Sequence, residues 1–373
     1  RSRLRSVAHA PLIDSVIADI VVGMQVLSIT ANVAAIVSHV ETVVAQVLPV
    51  GTQVGAVSVQ ILLVGSNVRF VALDVAFIVH AITLVGGTLV TTALRSSTMG
   101  GRAAIVAAQV LPNLLSGQSV AAWCVAEPGR DITPAGMRLR ARRDGAEFVL
   151  DGLKRPVDTG GQADWLLVTA TGPEGLSQFL VPSSAPGLRI TPLRGLDLVR
   201  KHAELGFDGV RVPASALVGV LGGASAAFEA QLQTALVLQC AEIVGATDRV
   251  FDFTVQYAFD RSSFGRALAS YQALKHRFAD MKLWLESAHA ITVDATRAVQ
   301  DGAPDAGEVV RIAKAYVAER CPEVIQDCIQ MHGGIGVTWE HDLHLYLRRV
   351  LVDRQTYGDP IQQRDQVALL ADR

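Results

Sequence analysis

The chain has 373 residues, half of them hydrophobic, and a formal net charge of -2 at neutral pH. That length suits two or three domains around a sizeable core, and the balanced charge provides no field for nucleic acid or an anionic membrane surface. Four scattered cysteines, Cys124, Cys240, Cys321 and Cys328, lack the spacing of a zinc site or a disulfide scaffold, which points to reduced thiols, a cytoplasmic protein and no metal.

Residues 1–100 differ from the rest, with nine charged side chains and no lysine. Uncharged stretches from Ile20 to Val40, Thr42 to Val68 and Val75 to Leu94 are each long enough to cross a bilayer. They are interrupted by Gly, Ser, Thr, Gln and Asn, favour Val over Leu, and lack aromatic belts and basic flanks, so no membrane domain is expected. The opening Arg-Ser-Arg-Leu-Arg is not followed by a short apolar core with a clean cleavage site, and no targeting peptide is expected.

From Trp123 to Val218 the pattern is strand-like. Met137, Leu139 and Ala141 alternate with Arg138, Arg140 and Arg142, and Asp144-Gly145 supplies a tight turn before Phe148-Val149-Leu150, which predicts a hairpin with a solvated basic outer face. Further strands are predicted over Trp165 to Thr169, Gln178 to Val181, Leu188 to Thr191 and Ala203 to Val212. Together they read as a small antiparallel barrel or sandwich. From Ala224 the period becomes helical, with Leu274, Phe278, Met281 and Leu285 on one face and Val309, Ile312, Tyr316 and Val317 on another. Gly302, Pro304 and Gly307 break two long helices. A four-helix bundle is expected, with Cys321 and Cys328 packed on one helix face.

Three ordered motifs stand out: Trp123-Cys124-Val125-Ala126-Glu127-Pro128-Gly129; Arg261-Ser262-Ser263-Phe264-Gly265 with Gln272 beyond it; and Gln330-Met331-His332-Gly333-Gly334, followed by Arg348-Arg349 and Tyr357-Gly358-Asp359. Over residues 108 to 360 this set resembles the acyl-CoA dehydrogenases. The resemblance implies an α+β multidomain fold, with an N-terminal helical domain over 1–116 (atypical and Val-rich here), a middle β domain over 117–218 and a C-terminal helical bundle over 219–373. It implies FAD between subunits, an acyl-CoA substrate oxidised at its α and β carbons, and an electron-transfer acceptor. Residues 1–100 lack the charge and periodicity of such a helical domain, so either they have diverged or their reading frame is not the native one.

By the same resemblance Arg261, Phe264, Gln272, Gln330, Gly333 and Gly334 contact the ADP half of a neighbouring subunit's FAD, and Trp123 and Val125 line the flavin side. A guanidinium forks onto phosphate oxygens, and paired glycines admit a ligand to the backbone. The flavin-ring positions depart from the pattern: the family's tryptophan falls on Pro156, its hydroxyl donor on Asp158, and its Thr before Glu-Pro-Gly on Ala126. The catalytic carboxylate also has no equivalent. One branch of the family places it at Gly358, another at Ala235, and only Asp359 stands nearby as a candidate base.

The pattern resembles the base-lacking subunit of heteromeric α2β2 acyl-CoA dehydrogenases of bacterial steroid side-chain degradation, in which a second such subunit completes the site. The rival readings are a self-sufficient homotetramer using Asp359, a flavin-free structural subunit, and a membrane protein led by the Val-rich third.

Overall fold

The computed structural model describes residues 110–371 apart from Leu111, Leu115 and Arg130. The atypical N-terminal segment and its uncharged stretches lie outside the described residues. No helix among the described residues is long and apolar enough to cross a membrane.

Eight strands build one sheet: β1 (Ala121–Cys124), β2 (Arg140–Asp144), β3 (Glu147–Asp158), β4 (Trp165–Gly172), β5 (Gly175–Pro182), β6 (Leu188–Leu193), β7 (His202–Pro213) and β8 (Leu217–Val218). Their order is β6-β7-β3-β2-β4-β5-β8, with β1 added beside β4. The arrangement expected from sequence was antiparallel; the structure departs from it where β1 and β2 both run parallel to β4. Strands β6 and β8 end the hydrogen-bonded order and do not pair with each other.

The β2–β3 hairpin forms at Asp144-Gly145, where Gly145 takes the positive φ of 63° that a side chain would resist. Met137, Leu139 and Ala141 are buried while Arg138, Arg140 and Arg142 face solvent, the period-two alternation of a half-buried strand. Beside it Gly152 allows β3 to cross close to β2, since a Cβ there would stand 2.9 Å from the Leu139 Cα.

Helices follow: α1 (Ser225–Asp260), α2 (Gln272–Asp301), α3 (Ala306–His332), α4 (Leu343–Gln355) and α5 (Pro360–Ala371), with a two-strand ribbon, β9 (Ser262–Ser263) and β10 (Arg266–Ala267), after α1. Met281 and Leu285 of α2 are fully buried. On α3 the expected face holds at Val317, which is buried, and at Val309 and Tyr316, which pack against the core, but not at Ile312, which is exposed; Val310, Ala313 and Cys321 are buried as well. The registration differs because α3 buries Arg311 and Lys314 alongside its apolar residues, widening the buried face beyond the apolar stripe. The helical core reaches the sheet through Val125, Met137 and Leu176.

Candidate functional site

The sequence motifs separate into two places. The first is a cleft of about 140 Å³ where the end of β1, the end of β3 and the segment after α4 converge. Trp123 and Val125 line it together with Pro156, Asp158, Tyr357 and Gly358. The Trp123 ring packs on Tyr357 at 5.5 Å and on Phe228, near the start of α1, at 6.0 Å. Burial pushes the Tyr357 phenol up, so it stays neutral.

Both carboxylates in the cleft lining face a cation. Glu127 receives the buried Lys154 ammonium at 2.7 Å and the backbone N–H groups of Arg138 and Leu139 at 2.7 and 3.0 Å. Burial pushes Lys154 down, and the Glu127 charge opposes that shift. Asp158 faces the Arg200 guanidinium at 3.5 Å. His202, which the sequence reading passed over for want of any motif around it, also lines the cleft. Burial lowers its pKa against the pull of Asp158.

Neither family position for a base carries one. Gly358 has no side chain, and its φ is 103°. Asp359 is absent from the cleft lining; its Oδ1 accepts the N–H groups of Ile361 and Gln362, both at 2.9 Å, and caps α5. Beside Ala235 on α1, Thr234 bonds back to the Ala230 carbonyl. One turn earlier Glu229 pairs with Arg311 at 2.9 Å.

The second place is the far end of α1. Tyr257 stacks on His332 with ring centroids 4.3 Å apart, and its hydroxyl donates to the His332 carbonyl at 3.4 Å. This contact joins the C-terminal ends of α1 and α3, so Arg261, one turn past Tyr257, shares an end of the molecule with Gly333 and Gly334. Tyr271 donates to the Ser263 carbonyl at 2.7 Å, tying the start of α2, and with it Gln272, to the same turn.

Arg261, Gln272 and Gln330 are exposed, and their side chains make no hydrogen bond or ion pair among the described residues. Phe264 is 97% exposed at a φ of 50°, followed by Gly265 at 80°. A Cβ added at Gly333 or Gly334 would meet nothing within 4 Å.

The two places are far apart within the chain. At a rise of 1.5 Å per residue, α1 runs about 50 Å from Phe228 under the cleft to Arg261.

The acyl-CoA dehydrogenase middle-domain family model matches residues 122–210, and the acyl-CoA dehydrogenase C-terminal domain model matches residues 222–369. The chain belongs to the acyl-CoA dehydrogenase family. It is 29% identical over 247 residues to the probable acyl-CoA dehydrogenase fadE25 of Mycobacterium leprae, covering 64% of each chain. It is 37% identical over 150 residues to acyl-CoA dehydrogenase IpdE2 of Mycolicibacterium smegmatis, covering 39% of this chain and 46% of that one.

The match thus spans 64% of the length of the fadE25 relatives. Among solved structures, a glutaryl-CoA dehydrogenase from Mycobacterium smegmatis in complex with FADH2 is similar at a TM-score of 0.66 and 27% identity, over 71% of this chain and 69% of that one. The two structures share their fold over that span.

Proposed function

We propose that this chain is one subunit of an FAD-dependent acyl-CoA dehydrogenase, giving the ADP-binding half of a shared FAD site while a second, related subunit supplies the catalytic carboxylate. What supports the reading above all is the separation along α1. The Arg261 end stands about 50 Å along α1 from this chain's own cleft, which favours a cofactor shared between two chains, and the absence of a carboxylate at Gly358 and Ala235 favours a partner that supplies the base.

The residues at the Arg261 end suit the group. An uncommitted guanidinium suits pyrophosphate, two uncommitted amides suit polar edges, an exposed ring gives a stacking surface, and two glycines leave room for close backbone approach. FAD held there would supply a hydride acceptor for the substrate's β carbon. This chain's residues position and hold. Of its carboxylates, Glu127 and Asp158 face cations and Asp359 caps a helix, which supports assigning the α proton to the partner's carboxylate.

The proposed substrate class is an acyl-CoA thioester, with a steroid side-chain CoA as one candidate, and the assembly is α2β2. The test is co-expression with a neighbouring dehydrogenase gene product. Equal amounts of the two chains with bound FAD and acyl-CoA oxidation are expected, abolished by removing the partner's carboxylate. A yellow, active oligomer of this chain alone would show instead a self-sufficient enzyme.

A further inference from the structure

Behind the cleft wall three cations, Arg200, Arg349 and Lys314, face four carboxylates, Asp158, Asp197, Glu242 and Asp353. Arg200, in the loop between β6 and β7, bonds Asp353, reaches Glu242 at 2.7 Å and faces Asp158 at 3.5 Å. Arg349 of α4 bonds Asp197 and reaches Glu242 of α1 at 2.6 Å. Lys314 of α3 is fully buried and gives its protons to the neutral Gln239 amide at 2.7 Å and to the Asp353 backbone carbonyl.

With every group ionised the cluster carries one uncompensated negative charge. Buried charge of that kind costs several kcal/mol or is removed by a proton. The geometry selects the carboxylate that takes it. Asp353 is fully buried and its Oδ2 has no partner; the Asp158 Oδ1 also lacks one, but on a side chain that is not buried. Asp158 and Glu242 keep roughly a third of their side-chain surface in solvent. Asp197 accepts backbone N–H groups from Val199 and Arg200 at 2.7 and 3.1 Å besides the Arg349 guanidinium.

The electrostatics agree. Burial, then the Glu242 charge, pushes Asp353 well above the carboxylate range against Arg200, Lys314 and Arg349. Burial opposes ionisation of Asp197, yet its hydrogen bonds outweigh that and hold it below the ordinary value. Burial also lowers Lys314 and His202.

We infer that the cluster holds one exchangeable proton at neutral pH, on Asp353, which leaves Arg200 to neutralise Asp158 in the cleft wall. Loss of that proton leaves the Arg200 guanidinium shared among three ionised carboxylates, Asp353, Glu242 and Asp158, so an anion in the cleft is held less tightly at high pH. A native carboxyl that keeps its proton stabilises the fold fully below the unfolded value near pH 4. That contribution is lost as pH rises through the native value, by at most about tenfold in the folding constant per pH unit.

Infrared spectra of the full-length chain over about pH 5.5 to 9 test this. A protonated-carboxyl band is expected to persist at neutral pH and to vanish in Asp353→Asn. In Glu242→Gln the charge count closes without the proton, so the band's midpoint should fall by about one pH unit or more. Wild-type protein without such a band at neutral pH, or a band surviving in Asp353→Asn, overturns the inference, including the case in which the proton sits on His202. If Asp353→Asn does not fold, Glu242→Gln decides: an unchanged midpoint overturns it equally. Neither arm requires bound FAD.

Discussion

Arg261 is exposed and spends its guanidinium on no other described side chain, so its value lies in what it binds. Arg261→Ala should leave the unfolding midpoint unchanged while weakening FAD in the assembled complex. The loss of charge-assisted hydrogen bonds of about 1.5 to 3 kcal/mol amounts to roughly ten- to more than a hundredfold in affinity. Pro156→Ala should barely alter FAD affinity, because proline offers no stacking surface; equal losses in an FAD titration would place the ring in this chain's own cleft. Asp359 caps α5, so Asp359→Ala should cost about 1 kcal/mol in chemical denaturation and leave turnover of the complex within a few-fold. A folded Asp359→Asn variant slower by about 10²-fold would make Asp359 the base after all. The buried Glu127–Lys154 pair carries a different expectation: Glu127→Ala strands the ammonium and should cost about 3–5 kcal/mol, seen as a large drop in denaturant midpoint.

Long elements decide how these residues meet. Phe228 is fully buried on α1 and packs against Trp123 of the sheet, joining the two layers. Phe228→Ala should therefore cost about 3–5 kcal/mol and loosen the cleft, measured as lost cooperativity between sheet and helix signals during unfolding. The β2–β3 hairpin was legible because alternation and an Asp-Gly turn are local signals. The buried face of α3 was legible only in part. A reading by apolar period sets charges outward, and it cannot see that Arg311 meets Glu229 of α1 or that Lys314 meets Gln239. The same blindness hid Arg200, whose partner Asp353 lies 153 residues away. The motif residues at the Arg261 end were reached through resemblance, yet what brings two of those segments together, the Tyr257–His332 stack, follows from helix packing that no spacing rule reveals.

At the scale of the molecule, apolar side chains at Val199, Phe264, Val337 and Trp339 stand largely in solvent. Such surface favours association, so the chain expressed alone should be flavin-poor and prone to aggregate, as sizing chromatography and the visible spectrum would show. All four cysteines are buried, and burial pushes their thiols up to about 12; this aggregation should be insensitive to reductant, and alkylating reagents should label only unfolded chains. The length of α1 couples the proposed shared site to assembly. When the two halves of a cofactor's contacts belong to different chains, holding the cofactor and holding the partner become a single mass-action equilibrium. Diluting the assembly at constant free FAD should then release flavin in step with subunit dissociation, so that cofactor fluorescence becomes a readout of protein concentration.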